Sequence, residues 1–74
     1  MGERWIVQVA ALGTRAEADA FKGRLSRKGY PVRISEEGGF FKVQVGPYGR
    51  KSEAQVVEKK LQRDEKAKTW IKPA

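Results

Sequence analysis

Two glutamines stand in the middle of the same triplet, Val-Gln-Val, once at residues 7–9 and again at residues 43–45. A side-chain amide offers a carbonyl oxygen that accepts hydrogen bonds and an NH₂ group that donates them. Such a group does no covalent chemistry, but it is suited to hold the hydroxyl or acetamido groups of a ligand. The repeated triplet therefore predicts a binding surface that includes Gln8 and Gln44.

The residue types that most often carry out catalysis are missing. The chain has no His and no Cys, so it lacks the commonest general base, the thiolate nucleophile and two common metal ligands. Glu36 and Glu37 are neighbours in a predicted turn, and we expect them to point in different directions and to be solvated there. We therefore predict no enzyme activity, no catalytic residues, no metal site and no cofactor.

Length and charge bound the remaining possibilities. With 74 residues the chain is large enough for one small domain. Its 16 Lys and Arg exceed its 9 Asp and Glu, for a net charge of +7, which favours an anionic partner such as nucleic acid, an anionic lipid surface or a polyanionic polymer. Lys and Arg that merely solvate two helices explain the charge equally well. No apolar run approaches the roughly 20 residues of a membrane span.

A repeat relates the two halves of the chain. Eight residues of the first half recur 36 positions later, and the repeated unit covers a strand, a turn and a helix. One such unit cannot bury its apolar face alone, whereas two units can share a core. The recurring pairs are Val7 and Val43, Gln8 and Gln44, Val9 and Val45, Gly13 and Gly49, Glu17 and Glu53, Ala18 and Ala54, Leu25 and Leu61, and Arg27 and Arg63.

Local signals give the helix ends. Thr14 and Glu17 form a capping-box pattern that starts the first helix, and Gly29 followed by Pro31 ends it. The start of the second helix is ambiguous. Ser52 and Gln55 repeat the capping-box pattern, but two residues later than the repeat would place it.

The strands complete the fold. "VRIS", the turn "EEGG" and "FFKVQV" predict a β-hairpin, and "KTWI" predicts a last strand with Trp70 facing outward. The order strand, helix, strand, strand, helix, strand predicts an α+β, ferredoxin-like βαββαβ fold, in which a four-stranded antiparallel sheet carries both helices on one face. The predicted core is Val7, Val9, Phe21, Leu25, Val43, Val45, Val57 and Leu61.

The other face of this sheet has no helix to cover it. Alternation places two aromatic residues, two amides, three cations and one Ile there, namely Ile6, Gln8, Arg33, Phe40, Lys42, Gln44, Trp70 and Lys72. Aromatic rings offer flat stacking surfaces, and cations pair with carboxylates or phosphates. The face suits a polymer with flat faces, polar edges and some negative charge. Alternatively, Trp70 and Phe40 only shield the edge of a thin core.

Two polymers and one protein partner fit such a face. The architecture is similar to that of RNA-recognition modules, but "GGFFKVQV" matches their central motif only at Gly39, Phe40 and Val43. A charged glycan fits equally well. A third possibility is a protein–protein interaction module that pairs through the sheet. Salt separates the first two, because binding to single-stranded nucleic acid weakens steeply as salt rises.

The stretches "WIVQVAALGTRAEADAFKGRL", "FKVQVGPYGRKSEAQVVEKKL" and "KTWI" resemble the SPOR domain, the sporulation-related repeat of bacterial cell-envelope proteins. The resemblance covers about residues 5–72. It implies the same fold and binding to peptidoglycan, especially to glycan strands freed of their stem peptides at division septa. It also implies a location in the bacterial cell envelope, outside the cytoplasm. We then expect residues 1–74 to be a single domain of a longer protein that carries any targeting signal. A linked or associated cell-wall hydrolase or division protein would be a partner, and nucleic acid would not.

The resemblance also implies a set of glycan-binding residues on the sheet. Gln8 matches the first-strand Gln of the family, and Phe40, Lys42 and Trp70 match an aromatic, a basic and a Trp position of later strands. The family's small hydroxyl residue falls at Ala11, which is a departure, and its Gly falls at Ala10. With two further residues from the outward set, the predicted glycan site is Gln8, Ala11, Arg33, Phe40, Lys42, Gln44 and Trp70.

Overall fold

The computed structural model describes residues 3–74, so Met1 and Gly2 of the predicted domain lie outside the described residues. Six elements follow the predicted order. They are β1 (Trp5–Leu12), α1 (Arg15–Arg27), β2 (Val32–Glu37), β3 (Phe40–Tyr48), α2 (Lys51–Glu65) and β4 (Trp70–Pro73).

The four strands form one sheet in the order β2-β3-β1-β4, and every neighbouring pair is antiparallel. The two strands that carry the repeated triplet, β1 and β3, are therefore the central pair. Both helices pack on one face, since Leu25 of α1 and Leu61 of α2 share a single cluster with Val7 and Val45. The predicted ferredoxin-like fold is confirmed. Within residues 3–74 neither helix is long and apolar enough to cross a membrane.

The core consists of eight buried residues that form four pairs related by the repeat. They are Val7 with Val43, Val9 with Val45, Ala18 with Ala54, and Leu25 with Leu61. Phe21 and Val57, which we predicted in the core, are only half-buried at its margin. Ala18 and Ala54 are fully buried instead. A small side chain lets each helix lie close to the sheet, so the larger side chains of Phe21 and Val57 lie at the edge of the contact.

The ends of α1 agree with the sequence signals. Thr14 is the N-cap, and its hydroxyl accepts a hydrogen bond of 3.2 Å from the backbone N–H of Glu17. At the other end Gly29 has a φ of +92°, and the N–H of Tyr30 donates to the carbonyl of Leu25 while that of Gly29 donates to Ser26. This pair of bonds is a Schellman motif, which requires the left-handed conformation that glycine adopts without strain.

The start of α2 follows the repeat and not the second capping-box pattern. The N-cap is Arg50, 36 residues after Thr14, and its side chain makes no capping hydrogen bond. Ser52 lies within the first turn of the helix, so of the two starts that the sequence left open, the later one at Ser52 is wrong. In each half of the chain an equivalent turn leads from the strand to the helix. The geometry of this turn sets the start of α2 at Arg50, although Arg50 caps the helix less well than Thr14 caps α1.

Gly38 and Gly39 join β2 to β3 in a two-residue turn. Their φ angles are +59° and +82°, which suit the primed turns that match the twist of a hairpin. The turn fixes the register of β2 against β3, with Glu37 opposite Phe40 and Arg33 opposite Gln44. It therefore decides which side chains of these strands are neighbours on the open face.

Candidate functional site

Four of the predicted site residues lie in one row across the open face of the sheet. Arg33 of β2 pairs with Gln44 of β3, Gln44 with Gln8 of β1, and Gln8 with Trp70 of β4. Neighbouring strands lie about 4.8 Å apart, so the row is about 14 Å long from Arg33 to Trp70. The row places two amides between a cation and an aromatic side chain.

The two ends of the row are exposed, but its middle is not. Trp70 is 50% exposed and Arg33 is exposed, whereas Gln8 is 2% and Gln44 is 4% exposed. Both amides therefore lie on the predicted face but are buried within it. They belong to the two central strands, where each has neighbours on both sides, and the long side chains of Arg33 and Trp70 flank them. Ile6, also predicted on this face, is likewise buried and lies outside the core cluster.

The amide of Gln8 carries an unsatisfied acceptor. Among residues 3–74 its Oε1 is the one buried side-chain polar atom without a hydrogen-bond partner. Leaving such an atom unpaired costs about 1–3 kcal/mol, so most proteins avoid it. Because Gln8 is only 2% exposed, an N–H or O–H group that approaches the sheet reaches this acceptor only when the side chains that bury it move aside.

A β-bulge brings Ala11 onto the same face as Gln8. The register of β1 against β3 shifts by one residue between Gln8 and Ala10, and beyond the shift Ala10 and Leu12 pack against the core. Ala11 is exposed and lies opposite Lys42. Strict alternation would point Ala11, three residues after Gln8, toward the helices. The extra residue of the bulge turns Ala11 to the open face instead.

The cations of the face differ in their surroundings. Lys42 forms an ion pair with Glu37, with 3.2 Å between its Nζ and the carboxylate Oε1. Within the described chain, Arg33 and Lys72 form no ion pair with a carboxylate. We expected Glu37 only to solvate the turn. The two-residue turn could have revealed this contact, because it puts Glu37 diagonally beside Lys42.

The two exposed aromatic side chains are not neighbours. Phe40 is 52% exposed at the hairpin end of β3, opposite Glu37, while Trp70 lies at the start of the far edge strand. The structure therefore places an aromatic ring at each of two separate positions and not in one stacked patch. No enclosed pocket is present among residues 3–74, and no group of acidic side chains there is arranged to hold a metal ion.

Residues 2–73 match the SPOR domain family. The chain belongs to this family. The match spans nearly the whole chain, in agreement with the stretches whose resemblance was noted in the sequence.

Relatives of this SPOR domain include two proteins named endolytic peptidoglycan transglycosylase RlpA. The protein from Escherichia coli strain K12 is 31% identical over 71 residues, which are 95% of this chain and 20% of the relative. The protein from Yersinia pestis is 28% identical over 68 residues, which are 90% of this chain and 19% of the relative. The chain thus spans about a fifth of the length of these curated relatives.

The solved structure of the peptidoglycan-binding domain of the Bacillus subtilis cell wall lytic enzyme CwlC is similar in fold. Its TM-score with this SPOR domain is 0.81, and the alignment covers 100% of this chain and 92% of that domain. Only 20% of the residues are identical, so the likeness concerns the fold.

Proposed function

We propose that this SPOR domain is a non-catalytic module that binds peptidoglycan through the open face of its sheet, and that it prefers glycan strands freed of their stem peptides. The observation that carries the proposal is the row of Arg33, Gln44, Gln8 and Trp70 on a sheet face without helices, in a chain of the SPOR family. The match to a domain described as peptidoglycan-binding supports it.

Each side chain of the proposed site has a suitable partner in a stripped glycan. Trp70 offers a flat apolar surface for a sugar ring. When a ligand displaces the side chains that bury it, the unpaired Oε1 of Gln8 can accept a hydrogen bond from an acetamido N–H or a hydroxyl. A glycan without stem peptides exposes the carboxylates of its muramic acid units. Arg33 and Lys42 are cations on the same face and can pair with these carboxylates.

In this proposal the domain does not cleave the glycan, and cleavage belongs to other domains or proteins. The RlpA relatives are named transglycosylases, but this chain matches only about a fifth of their length. We propose that the domain directs a linked or associated cell-wall enzyme or division protein to its substrate in the bacterial cell envelope, with the septum as the expected place. Incubation of the purified domain with sacculi should release no soluble muropeptides and no new reducing ends.

A sedimentation assay tests the binding. Purified sacculi are treated with an amidase that removes stem peptides, and the fraction of domain that sediments is compared with that on untreated sacculi. We expect more domain to sediment with the treated sacculi. Equal sedimentation on both would contradict the preference for stripped strands, and no sedimentation on either would contradict glycan binding.

The nucleic-acid alternative has little support from the site. An RNA-recognition module would carry an aromatic residue on β1 beside that of β3, whereas β1 presents on this face Ala11, opposite Lys42, and the buried Gln8, opposite Gln44. Binding of single-stranded RNA with a steep salt dependence would favour the alternative over the glycan.

A further inference from the structure

The sheet register fixes the distance between the two exposed aromatic residues. Phe40 precedes Gln44 by four residues on β3, about 13 Å along the strand, and Trp70 lies two strands from β3, about 10 Å across the sheet. The two Cα atoms are therefore about 16 Å apart. Side chains on a sheet stand roughly perpendicular to it, so the rings keep a similar separation. One sugar ring cannot lie on both.

The residue midway between the two aromatic side chains is Ala11. It lies on β1, one strand in from Trp70, and opposite Lys42, which precedes Gln44 by two residues. The line from Trp70 to Phe40 therefore crosses the sheet at an exposed residue whose side chain is a single methyl group. The two aromatic side chains therefore stand at the ends of a diagonal, and the small side chain of Ala11 leaves open space above the sheet between them.

Polar groups lie along one side of this diagonal. Gln8, with its unpaired Oε1, precedes Ala11 on β1, and Lys42 lies opposite Ala11 on β3, so both stand on the side of the diagonal that faces Gln44. The face thus offers stacking surfaces at two ends, a hydrogen-bond acceptor and a cation along the way, and space between them. This sequence of features fits an extended chain of sugars better than a single sugar.

We propose that Trp70 and Phe40 form two separate sugar subsites, and that one glycan chain bridges them by crossing β3 and β1 diagonally over Ala11. The inference rests on the proposed function and adds a length requirement to it. Short oligosaccharides occupy the Trp70 subsite, which adjoins Gln8, and only longer ones also reach Phe40. Affinity should therefore rise sharply at the length that spans both subsites.

The test uses a ladder of stem-peptide-free peptidoglycan oligosaccharides of increasing length and measures their dissociation constants by calorimetry. Trp70→Ala should weaken binding at every length. Phe40→Ala should leave short oligosaccharides unaffected and weaken long ones about tenfold, which corresponds to about 1.4 kcal/mol. Val56→Ala, which removes an apolar side chain that is 60% exposed on α2, serves as the control and should change nothing.

A second variant tests the path between the subsites. Ala11→Leu puts a branched side chain on the diagonal at an exposed position, so the fold should tolerate it. We expect short oligosaccharides to bind as before and long ones to lose about tenfold, as with Phe40→Ala. Unchanged or improved binding of the long oligosaccharides would show that the chain does not pass over Ala11, and would overturn the diagonal path.

The outcomes separate this inference from the proposed function. If the unmodified domain fails to bind even the longest oligosaccharides, glycan binding itself is wrong. If it binds them but Phe40→Ala causes the same loss at every length, or none at any length, the domain binds glycan without two separate subsites. Thermal melting of each variant should stay within a few degrees of the parent, which excludes unfolding as the cause of a loss.

Discussion

Gln8 and Gln44 lie directly opposite each other on the two central strands, although 36 residues separate them in the chain. The internal repeat thus brings its two amides together at the centre of the sheet. Both side chains are buried, and the Oε1 of Gln8 has no hydrogen-bond partner. An apolar residue of similar shape should be more stable there, because it leaves no buried acceptor unpaired.

Replacement of Gln8 should therefore separate stability from binding. Gln8→Met keeps a similar shape and removes the unpaired acceptor, so it should raise the free energy of unfolding by about 1 kcal/mol. For a domain of this size that corresponds to a rise of about 4–8 °C in Tm. Binding to amidase-treated sacculi should fall several-fold at the same time.

Gln44→Met is the matched control, because Gln44 has no buried atom without a partner among the described residues. Its gain in Tm should be smaller. A lower Tm for Gln8→Met than for the parent would mean that the amide of Gln8 is satisfied in solution, for example by water.

Trp70 should contribute to binding and little to stability. It is half exposed at the start of β4, while the next residue, Ile71, packs against the core. Trp70→Ala should weaken binding to amidase-treated sacculi by more than about 2 kcal/mol, as for an aromatic hot-spot side chain of an interface. Its Tm should stay close to that of the parent. A sharp fall in Tm with intact binding would assign Trp70 to the edge of the core.

The two leucines related by the repeat should contribute much of the stability of the core. Leu25 of α1 and Leu61 of α2 are both fully buried in the single cluster. Leu25→Ala and Leu61→Ala should each lower the free energy of unfolding by about 2–5 kcal/mol in urea titration. Val56→Ala on the exposed side of α2 should change it by no more than about 0.5 kcal/mol. Similar values for all three would contradict the assignment of the helix faces.

Much of the fold could be predicted from the sequence because its signals are local. Alternation in the strands, the Thr14 cap and the Gly38–Gly39 turn each act over a few residues, and the repeat then orders the units. The start of α2 was different. Ser52 carries a good local signal, but the geometry of the repeated turn places the cap at Arg50.

The site was harder to predict, because exposure and distance depend on the whole sheet. Alternation gave the correct face for Gln8 and Trp70, but it could not show that the central amide is buried. The bulge that turns Ala11 outward has no clear sequence signal. The separation of Phe40 from Trp70 depends on the register of three strands, which is known only once the sheet is assembled.

Glu37 should limit the affinity for an anionic glycan. Its carboxylate pairs with Lys42, so a carboxylate of the ligand must compete with it. Glu37→Gln should raise affinity for stem-peptide-free oligosaccharides, but by less than about fivefold, because an exposed ion pair contributes under about 1 kcal/mol. The gain should vanish with oligosaccharides whose carboxyl groups have been reduced. Glu36→Gln, next in the chain, should have little effect. Equal gains from both variants would indicate a general effect of charge and not competition for Lys42.

A buried carboxylate joins the two helices on the other side of the sheet. Glu65, in the last turn of α2, has a side chain that is 5% exposed and forms ion pairs with Arg24, at 2.9 Å, and with Lys28 of the C-cap of α1. A negative charge at the C-terminal end of a helix is unfavourable by about 0.3–1 kcal/mol. The two cations offset this cost. The hydrogen bond from Lys28 is the largest cause that holds the pKa of Glu65 below its usual value, and it outweighs burial, which raises it.

The ion pairs of Glu65 should make stability depend on pH in the acid range. In the unfolded chain the pKa of a Glu is about 4.3, and in the folded domain the pKa of Glu65 is lower. Its contribution is therefore present above about pH 4.3 and is lost as the pH falls through the folded pKa. The Tm of Glu65→Gln should lie below that of the parent at neutral pH, and the two should converge in acid. Glu36→Gln, an exposed control, should differ little from the parent at any pH. A gap between Glu65→Gln and the parent that stays constant from neutral to acid pH would show that Glu65 acts through packing and not through its charge.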